Sequence, residues 1–578
     1  MSETASVPAA VTDSGMDPGK RRVALWVVLL AFAMDLLDST IVNIGIPSIQ
    51  RELGTSYAAI QWIVAGYQLT FALFLITGGR LGDIFGYKKI LIIGMSGFAL
   101  TSALCGFAVS SEMLVAARLA QGLSAALMVP QTLALMQVMY PKIEDRQRVS
   151  ALYGAVAGLA TVSGPIVGAL LITGDPYGFG WRTIFLINLP FAVAAISLGI
   201  LFLPDRKSPH PLHVDGIGVG LILLAMLMLM FPLIEGRELD WPQWAFVSMA
   251  ASLAVFGLFG ASQIWKDKRD GSPLVVPHLF RARSFVGGIT ISLAFYAVVA
   301  SFFLVLTIFL QIGLGYDVLT AGLTSIPFSL GIGITVALAQ GVLVPRFGRN
   351  TLTAGPLIMA VGFGLLMVEI AIYGGALSPW AIAPVLLVTG TGMGCVVAPI
   401  YPFILAQVPV ADAGSASGVI NAVGQVGGAV GVAVVGVIFF GLLGSQATTS
   451  VDSVRADLTR ELAAAGLPAT AVPQVVALFE TCFHDRANAK DFSEVPPSCA
   501  AAEKAQANFA ASDPALAERV GAIVARQGRT ASHRDFSTAM QGTLVWLAAG
   551  LLVVSLLTFL LPPRPKRREE LTGAGIGA

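Results

Sequence analysis

"VALWVVLLAFAMDLLDSTIVNIGI" (Val23–Ile46) is an almost unbroken apolar run that nonetheless carries two aspartates, Asp35 and Asp38. A helix crossing the hydrocarbon core needs about 20 apolar residues, so its length alone marks a membrane span. An aspartate at mid-bilayer costs ~2.5–3.5 kcal/mol on insertion scales, which makes such a pair a functional site by default. At helical spacing, Asp35, Asp38, Ser39 and Asn43 fall within an arc of about 140°. That face meets protein or water, not lipid. Two carboxylates three residues apart are neighbours and suit a proton carrier. The competing reading is a static carboxylate bonded to a partner helix, and it has more force for Asp35, nearer the inner end, than for Asp38.

The rest of the chain extends this pattern. Of 578 residues, 56% are hydrophobic and 12% charged, with mean hydropathy +0.79. Soluble chains average about 25% charged residues, so this is an all-α polytopic membrane protein embedded in a lipid bilayer. A net charge of +1 offers no electrostatic footprint for nucleic acid. Fourteen spans are expected, at 23–46, 59–79, 90–109, 114–138, 149–172, 183–203, 216–235, 243–265, 285–311, 320–343, 352–373, 380–407, 415–441 and 541–561. The first is too long for a cleaved signal peptide and is followed by thirteen more. With the amino terminus inside, 22 Lys and Arg lie on inner segments and only Arg51, Arg182 and Arg237 on short outer loops. Both termini are therefore expected in the cytoplasm, with the protein multi-pass in the cell membrane.

The loop lengths divide the chain further. A cytoplasmic tail (1–22) precedes a six-helix bundle (23–203), two linker spans with flanking loops (204–284), and the first five helices of a second bundle (285–441). A long polar segment (442–540), the last span (541–561) and a cytoplasmic tail (562–578) follow. Long loops cross regardless of charge, so 442–540 is expected outside. Asp452–Ala465 and Ala515–Arg526 in it have helical periodicity. Its Cys482 and Cys499 face the oxidising side, where disulfides form, but the sequence alone leaves them paired or free. "GRLGDIFGYKK" (Gly79–Lys89) and "GVLVPRFGRN" (Gly341–Asn350) share Gly-x-x-x-[Asp/Pro]-x-Phe-Gly. With spans seven and eight as an insertion, these two loops correspond, as in transporters built from parallel repeats with substrate between the halves.

Within the fourth span, "RLAQGLSAA" puts Arg118 and Gln121 on one face. Arginine keeps its charge, so a buried Arg118 needs a carboxylate, and Asp35 and Asp38 are the candidates in its half. Their separation would switch the carboxylate's proton affinity; a static ion pair is the plainer alternative. Asn43 and Gln121 are expected to be polar lining of a cavity. Gly154, Gly158, Thr161, Pro165 and Gly168 form a small-residue seam on the fifth span, and Gly424, Gly428 and Gly431 look like its counterpart on the thirteenth. Glu369, near the outer end of the eleventh span, is a secondary acid that can snorkel to the interface. Cys105 and Cys395 read as packing residues. The cysteines have no metal spacing, and there is no phosphate-binding loop or hydrolase motif. The chain therefore reads as no enzyme, with no cofactor and no metal.

In this order, these motifs resemble the fourteen-span drug:proton antiporter-2 family of the major facilitator superfamily, over about residues 23–445 and 541–562. "LDSTIVNIGIP" (Leu37–Pro47) looks like its first-span motif. Gly79, Asp83, Gly86 and Lys88 match the superfamily's inner-loop motif, with Ile84 and Tyr87 where basic residues are usual. Arg118, Gln121 and Gly122 match the fourth-span motif. "GPIVGA" keeps Gly164, Pro165 and Gly168 of the antiporter motif, and "WRTIFLINLP" (Trp181–Pro190) is typical of the branch. The resemblance implies two six-helix bundles plus two inserted helices, and proton-driven export of small amphiphilic or cationic substrates by alternating access. It makes Asp38 the acid of coupling or cation recognition, and Arg118 the arginine of proton transfer; Asp35 is outside the motif. An endogenous lipid or secondary metabolite competes as cargo. The other class of reading is a membrane scaffold or sensor whose 442–540 segment binds an external protein partner; the intact Asp38, Arg118 and glycine seam argue against it.

Overall fold

The computed structural model describes residues 16–175, 178–208, 213–236, 238–269, 271–408, 413–488 and 495–563. Arg237, Arg564, Lys566, Arg567 and Arg568, counted above for orientation, lie outside the described residues, as do the side chains of Gly158 and Thr161. The helices are α1 (Pro18–Leu53), α2 (Tyr57–Phe85), α3 (Tyr87–Gly106), α4 (Ser111–Met139), α5 (Ile143–Gly174) and α6 (Gly180–Phe202). Then come α7 (Gly216–Glu235), α8 (Gln243–Arg269), α9 (Arg283–Gly313), α10 (Val318–Leu338), α11 (Asn350–Tyr373) and α12 (Pro379–Gln407). The chain closes with α13 (Ala413–Ala464), α14 (Val472–Ala487), α15 (Pro497–Ser512) and α16 (Pro514–Leu557). Thirteen of the described helices are long and apolar enough to cross a membrane. The 32-residue α5, apolar from Val149 to Ile172, brings the number to fourteen.

Two bundles repeat one packing scheme. In the first, α5 lies against α1: a methyl on Gly164 would overlap the Thr40 hydroxyl, and one on Gly168 would fall 2.6 Å from Ile44. In the second, α13 lies against α9 in the same way, with Gly427 and Gly431 on the backbone of Leu293 and Ala297. The same two helices also join the bundles. Gly322 of α10 leaves only 3.0 Å between a notional methyl and the Pro165 carbonyl of α5, and Gly428 of α13 meets Gln68 of α2 at 2.7 Å. Small residues permit these approaches, since a side chain at any of them would force the helices apart. Pro165 and Gly168 of the expected fifth-span seam and Gly428 and Gly431 of the thirteenth lie at these contacts, whereas Gly154 faces open space.

The repeated loop motif is structurally equivalent too. Gly86 and Gly348 both take positive φ, +105° and +57°, a conformation that favours glycine. The next residue in each loop then donates its amide to a carbonyl just beyond the last helix of its own half: Tyr87 N–H to Arg206 O at 2.9 Å, and Arg349 N–H to Pro563 O at 2.8 Å.

The inserted pair α7–α8 is pinned to the first bundle. On the face where α1 starts and α16 ends, Arg80 donates to the carbonyls of His213, Ser272 and Pro273. Asp215, the N-cap of α7, accepts from Gly218 N–H, the Gln263 amide and the Lys266 ammonium. Burial pushes the Asp215 carboxyl up, but these donors together hold it below its ordinary value. On the opposite face, Glu235 and Glu238 accept from the Trp62 indole and the Ala58 amide of α2.

The helical 442–540 segment grows directly out of the two spans that flank it. Helix α13 continues through 442 for 52 residues in all, and α16 begins at Pro514 and runs through 540. At 1.5 Å per residue they are roughly 80 and 65 Å long, more than twice the hydrocarbon thickness. No proline interrupts Gly441–Ala464 or Ala515–Leu557, so nothing stops either helix at the bilayer surface. Helix α13 ends where Gly466 takes φ +90°. The extensions pack with α14 and α15 around Val454, Leu458, Leu462, Phe479, Leu516 and Val520, which gives a small helical cap. A disulfide joins Cys482 to Cys499. Closing a ring of this size contributes ~3 kcal/mol. We expect the cap to resist trypsin in the oxidised protein and to be cut within α14–α15 after reduction; equal cleavage under both conditions would count against a disulfide-dependent cap.

Candidate functional site

The polar face of α1 turns into the first bundle. Asp38 is fully buried and Arg118 is 1% exposed, and they form an ion pair at 2.5 Å. Each charge has further partners, as a buried pair requires. Asp38 also accepts from Gln121 at 2.9 Å and Asn188 at 3.0 Å. Arg118 donates to Ile63 O at 3.1 Å and Gln121 Oε1 at 2.8 Å, and its guanidinium lies 4.3 Å from the centre of the Tyr67 ring. Ser102 accepts from both amides, Gln121 at 2.8 Å and Asn188 at 3.2 Å. Five helices thus converge on one carboxylate and one guanidinium.

Asp35, one turn away, does not pair with Arg118. Its carboxylate accepts the Tyr67 hydroxyl at 2.5 Å. Tyr67 therefore stands between the two acids, bonded to one at its hydroxyl and covered on its face by the arginine held by the other.

The remaining expected site residues are distributed differently. Gln121, expected to line a cavity, is instead fully buried inside the cluster, because its amide bridges Arg118, Asp38 and Ser102. Asn43 does face a cavity, of about 40 Å³, between the bundles, with Thr40, Pro165, Thr307, Ser325 and Ser329. Its Oδ1 is buried without a partner among the described residues. Such a space holds a few waters. Glu369 joins neither group; it is half-buried on α11, and its Oε2 has no hydrogen-bond partner among the described residues. Asp83 accepts from the Tyr87 hydroxyl at 2.9 Å and Lys88 donates to Ile200 O at 2.7 Å, while Gly79 makes only an ordinary contact with Pro130. These inner-loop contacts lie within the first half. Cys105 and Cys395 are buried thiols, the first with its Sγ 3.6 Å from Gln121. No three His, Cys, Asp or Glu side chains converge to hold a metal among the described residues.

Tyr67, Ser102 and Asn188 were not singled out from the sequence. Asn188 and Ser102 are isolated polar residues in apolar spans, which is a weak signal; Tyr67 carries none, since aromatic residues are common in such helices.

Residues 28–432 match the profile of the Major Facilitator Superfamily. The chain is 42% identical over 560 residues to a probable actinorhodin transporter of Streptomyces coelicolor, covering 96% of this chain and 95% of that one. It is 33% identical to the multidrug resistance protein Stp of Mycobacterium tuberculosis, covering 70% and 74%. It is 32% identical to the tetracenomycin C resistance and export protein of Streptomyces glaucescens, covering 72% and 77%. Among solved structures, a bacterial homolog of the human lysosomal transporter Spinster, inward-facing and occupied, shares the fold with a TM-score of 0.54 at 16% identity, over 94% of this chain and 98% of that one. With fourteen spanning helices in two equivalent bundles and a match from 28 to 432, this chain belongs to the major facilitator superfamily.

Proposed function

We propose that the chain is a proton-driven exporter of amphiphilic small molecules, with Asp38 as the proton carrier and Arg118 as the group that reads its charge. The observation that supports this reading is the fully buried Asp38–Arg118 pair. With Asp38 ionised, the pair is closed and Arg118 is satisfied. A proton on Asp38 removes the countercharge, and an unpaired buried charge costs about 3–5 kcal/mol. Arg118 then keeps only neutral partners: Ile63 O, Gln121 Oε1 and the Tyr67 ring. Relief comes from a rearrangement of α1 against α4 and α2, the three helices that hold the pair and the Tyr67 ring. Since α1 also carries the α5 seam and faces the central cavity, that rearrangement reaches the joint between bundles. Each charge crossing 100 mV supplies ~2.3 kcal/mol, a substantial part of the cost of that unpaired charge.

The similarity to antibiotic and multidrug transporters supports a small organic cargo, and the full-length similarity to a probable actinorhodin transporter favours a secondary metabolite over a membrane lipid. In this reading both termini are cytoplasmic, the cap is extracytoplasmic, no cofactor is used and the protein catalyses no covalent step. The decisive experiment is dye uptake into inverted vesicles driven by an imposed proton gradient; uptake indifferent to a protonophore would exclude the reading.

Two substitutions test the roles. Asp38→Asn keeps the shape but cannot bind and release a proton, so gradient-driven uptake should disappear while insertion is normal; wild-type uptake would remove Asp38 from the mechanism. Arg118→Lys keeps the charge but loses the planar fork, so uptake should fall about tenfold or more, with a displaced pH optimum. An unaltered pH profile in Arg118→Ala would show that the two groups are not coupled.

A further inference from the structure

A second and roomier cavity lies apart from the central one. It is a chamber of about 1090 Å³ between the cap and the ends of the membrane helices, with walls from both bundles. Its floor includes Pro47, Gln50 and Arg51 of α1 and Gln311 of α9; its roof includes Phe483 and Arg486 of α14. Ligand sites for drug-sized molecules run to ~300–1,000 Å³, so the chamber admits one whole, whereas the 40 Å³ central cavity holds only water. The two spaces are separated by a closed joint. Gln311 of the second half donates to Ile44 O of the first at 3.0 Å, and Gly322 closes on Pro165. From Asn43 to Gln50 is about 10 Å along α1, so the chamber begins immediately beyond the joint.

The chemistry of the lining selects a ligand. Phe483 and Tyr316 present partly exposed aromatic surface, which suits planar ring systems. The acids are already engaged within the protein. Glu52 is ion-paired with Arg182. Asp317 caps α10, where hydrogen bonds from Thr320 hold its carboxyl below the ordinary value. Asp535 is 2% exposed and turned to the Ser450 hydroxyl at 3.4 Å. The cations are different. Neither Arg51 nor Arg486 has an ion-pair partner within 4 Å among the described residues; Arg51 touches only Pro47 O and the Ser48 hydroxyl. One guanidinium thus stands at the floor and one at the roof, over apolar and aromatic walls. Guanidinium is the side-chain group best shaped to receive a carboxylate.

We propose that this chamber is a binding site on the exit side of the joint for amphiphilic aromatic anions, anchored by Arg51 and Arg486. As an account of cargo it rests on the export reading: a molecule released past the joint dwells under the cap before it leaves. The binding itself needs neither a gradient nor transport, so the two can fail separately.

The test uses the full-length protein in lipid nanodiscs, with fluorescein as an anionic aromatic probe and rhodamine 123 as a cationic one, each titrated by fluorescence anisotropy against empty nanodiscs. Fluorescein should bind the wild type, about tenfold more weakly after Arg51→Gln or Arg486→Gln, and close to wild-type after Arg486→Lys. Ala487→Trp, which projects an indole into the chamber, should weaken binding, and Arg460→Gln, on the outer surface of the cap at 76% exposure, should leave it unchanged. Fluorescein binding indifferent to both Arg→Gln changes and to Ala487→Trp would overturn the site. Rhodamine 123 binding that is weakened by Ala487→Trp and strengthened by the Arg→Gln changes would overturn the ligand class. Arginine-dependent fluorescein binding in a protein without proton-driven uptake would uphold the chamber and remove only the export reading.

Discussion

A guanidinium cannot shed its proton, and hydrocarbon cannot solvate it. Arg118 therefore dictates much of what surrounds it. It requires a carboxylate, which Asp38 provides, and enough neutral acceptors and donors to satisfy both ions, which come from Ile63, Gln121 and Asn188. A hydrophobic replacement of such a pair is often as stable or more so, so stability alone does not explain keeping it. The proton switch proposed above accounts for it: in that reading the pair's energy depends on the proton on Asp38, and α1, which carries Asp38, also faces the central cavity between the bundles.

That joint is built from small residues rather than strong bonds. The contacts between α5 and α10 and between α13 and α2 depend on glycines at Gly322, Gly428 and Gly436, where backbone or side-chain atoms of the other half come close. Few hydrogen bonds cross it; Gln311 to Ile44 is one. A joint held by van der Waals contact can open without leaving buried polar groups unpaired, which a membrane interior penalises heavily. The strong polar interactions instead lie inside each half or at its ends, as at Asp38, Arg80 and Asp215. Rigid halves and a yielding seam follow from where the sequence puts its glycines and its charges.

Much of this was legible in the sequence because the bilayer leaves few options. Fourteen apolar runs became fourteen helices, and the requirement that Arg118 find Asp38 or Asp35 left a short list. The equivalence of Gly79–Lys89 and Gly341–Asn350 was readable from the spacing and appears as matching positive-φ glycines followed by matching amide bonds. What could not be read was which polar residues share a bundle interior and which face a cavity. Asn43 and Gln121 look alike in sequence, each a lone amide on an apolar helix, yet one faces the space between halves and the other bridges the ion pair. Helix rotation alone separates these fates, and it is set by neighbours distant in the chain. The helical segment expected over 442–540 is continuous with the spans on either side, because polar composition ends a membrane span but does not end a helix.

Those continuous helices bear on how the cap moves. Both of its roots, α13 and α16, belong to the second half, and neither has a break at the bilayer surface. The cap must then turn with that half as one body, while the chamber floor at Pro47, Gln50 and Arg51 belongs to the first. His533 of α16 strengthens the attachment through its bond to Gly313 O at the end of α9, again within the second half. A hinge between halves is therefore also a hinge between floor and roof. Displacing one half against the other would carry the roof residues with α13 and α16 and leave Pro47, Gln50 and Arg51 with the first half.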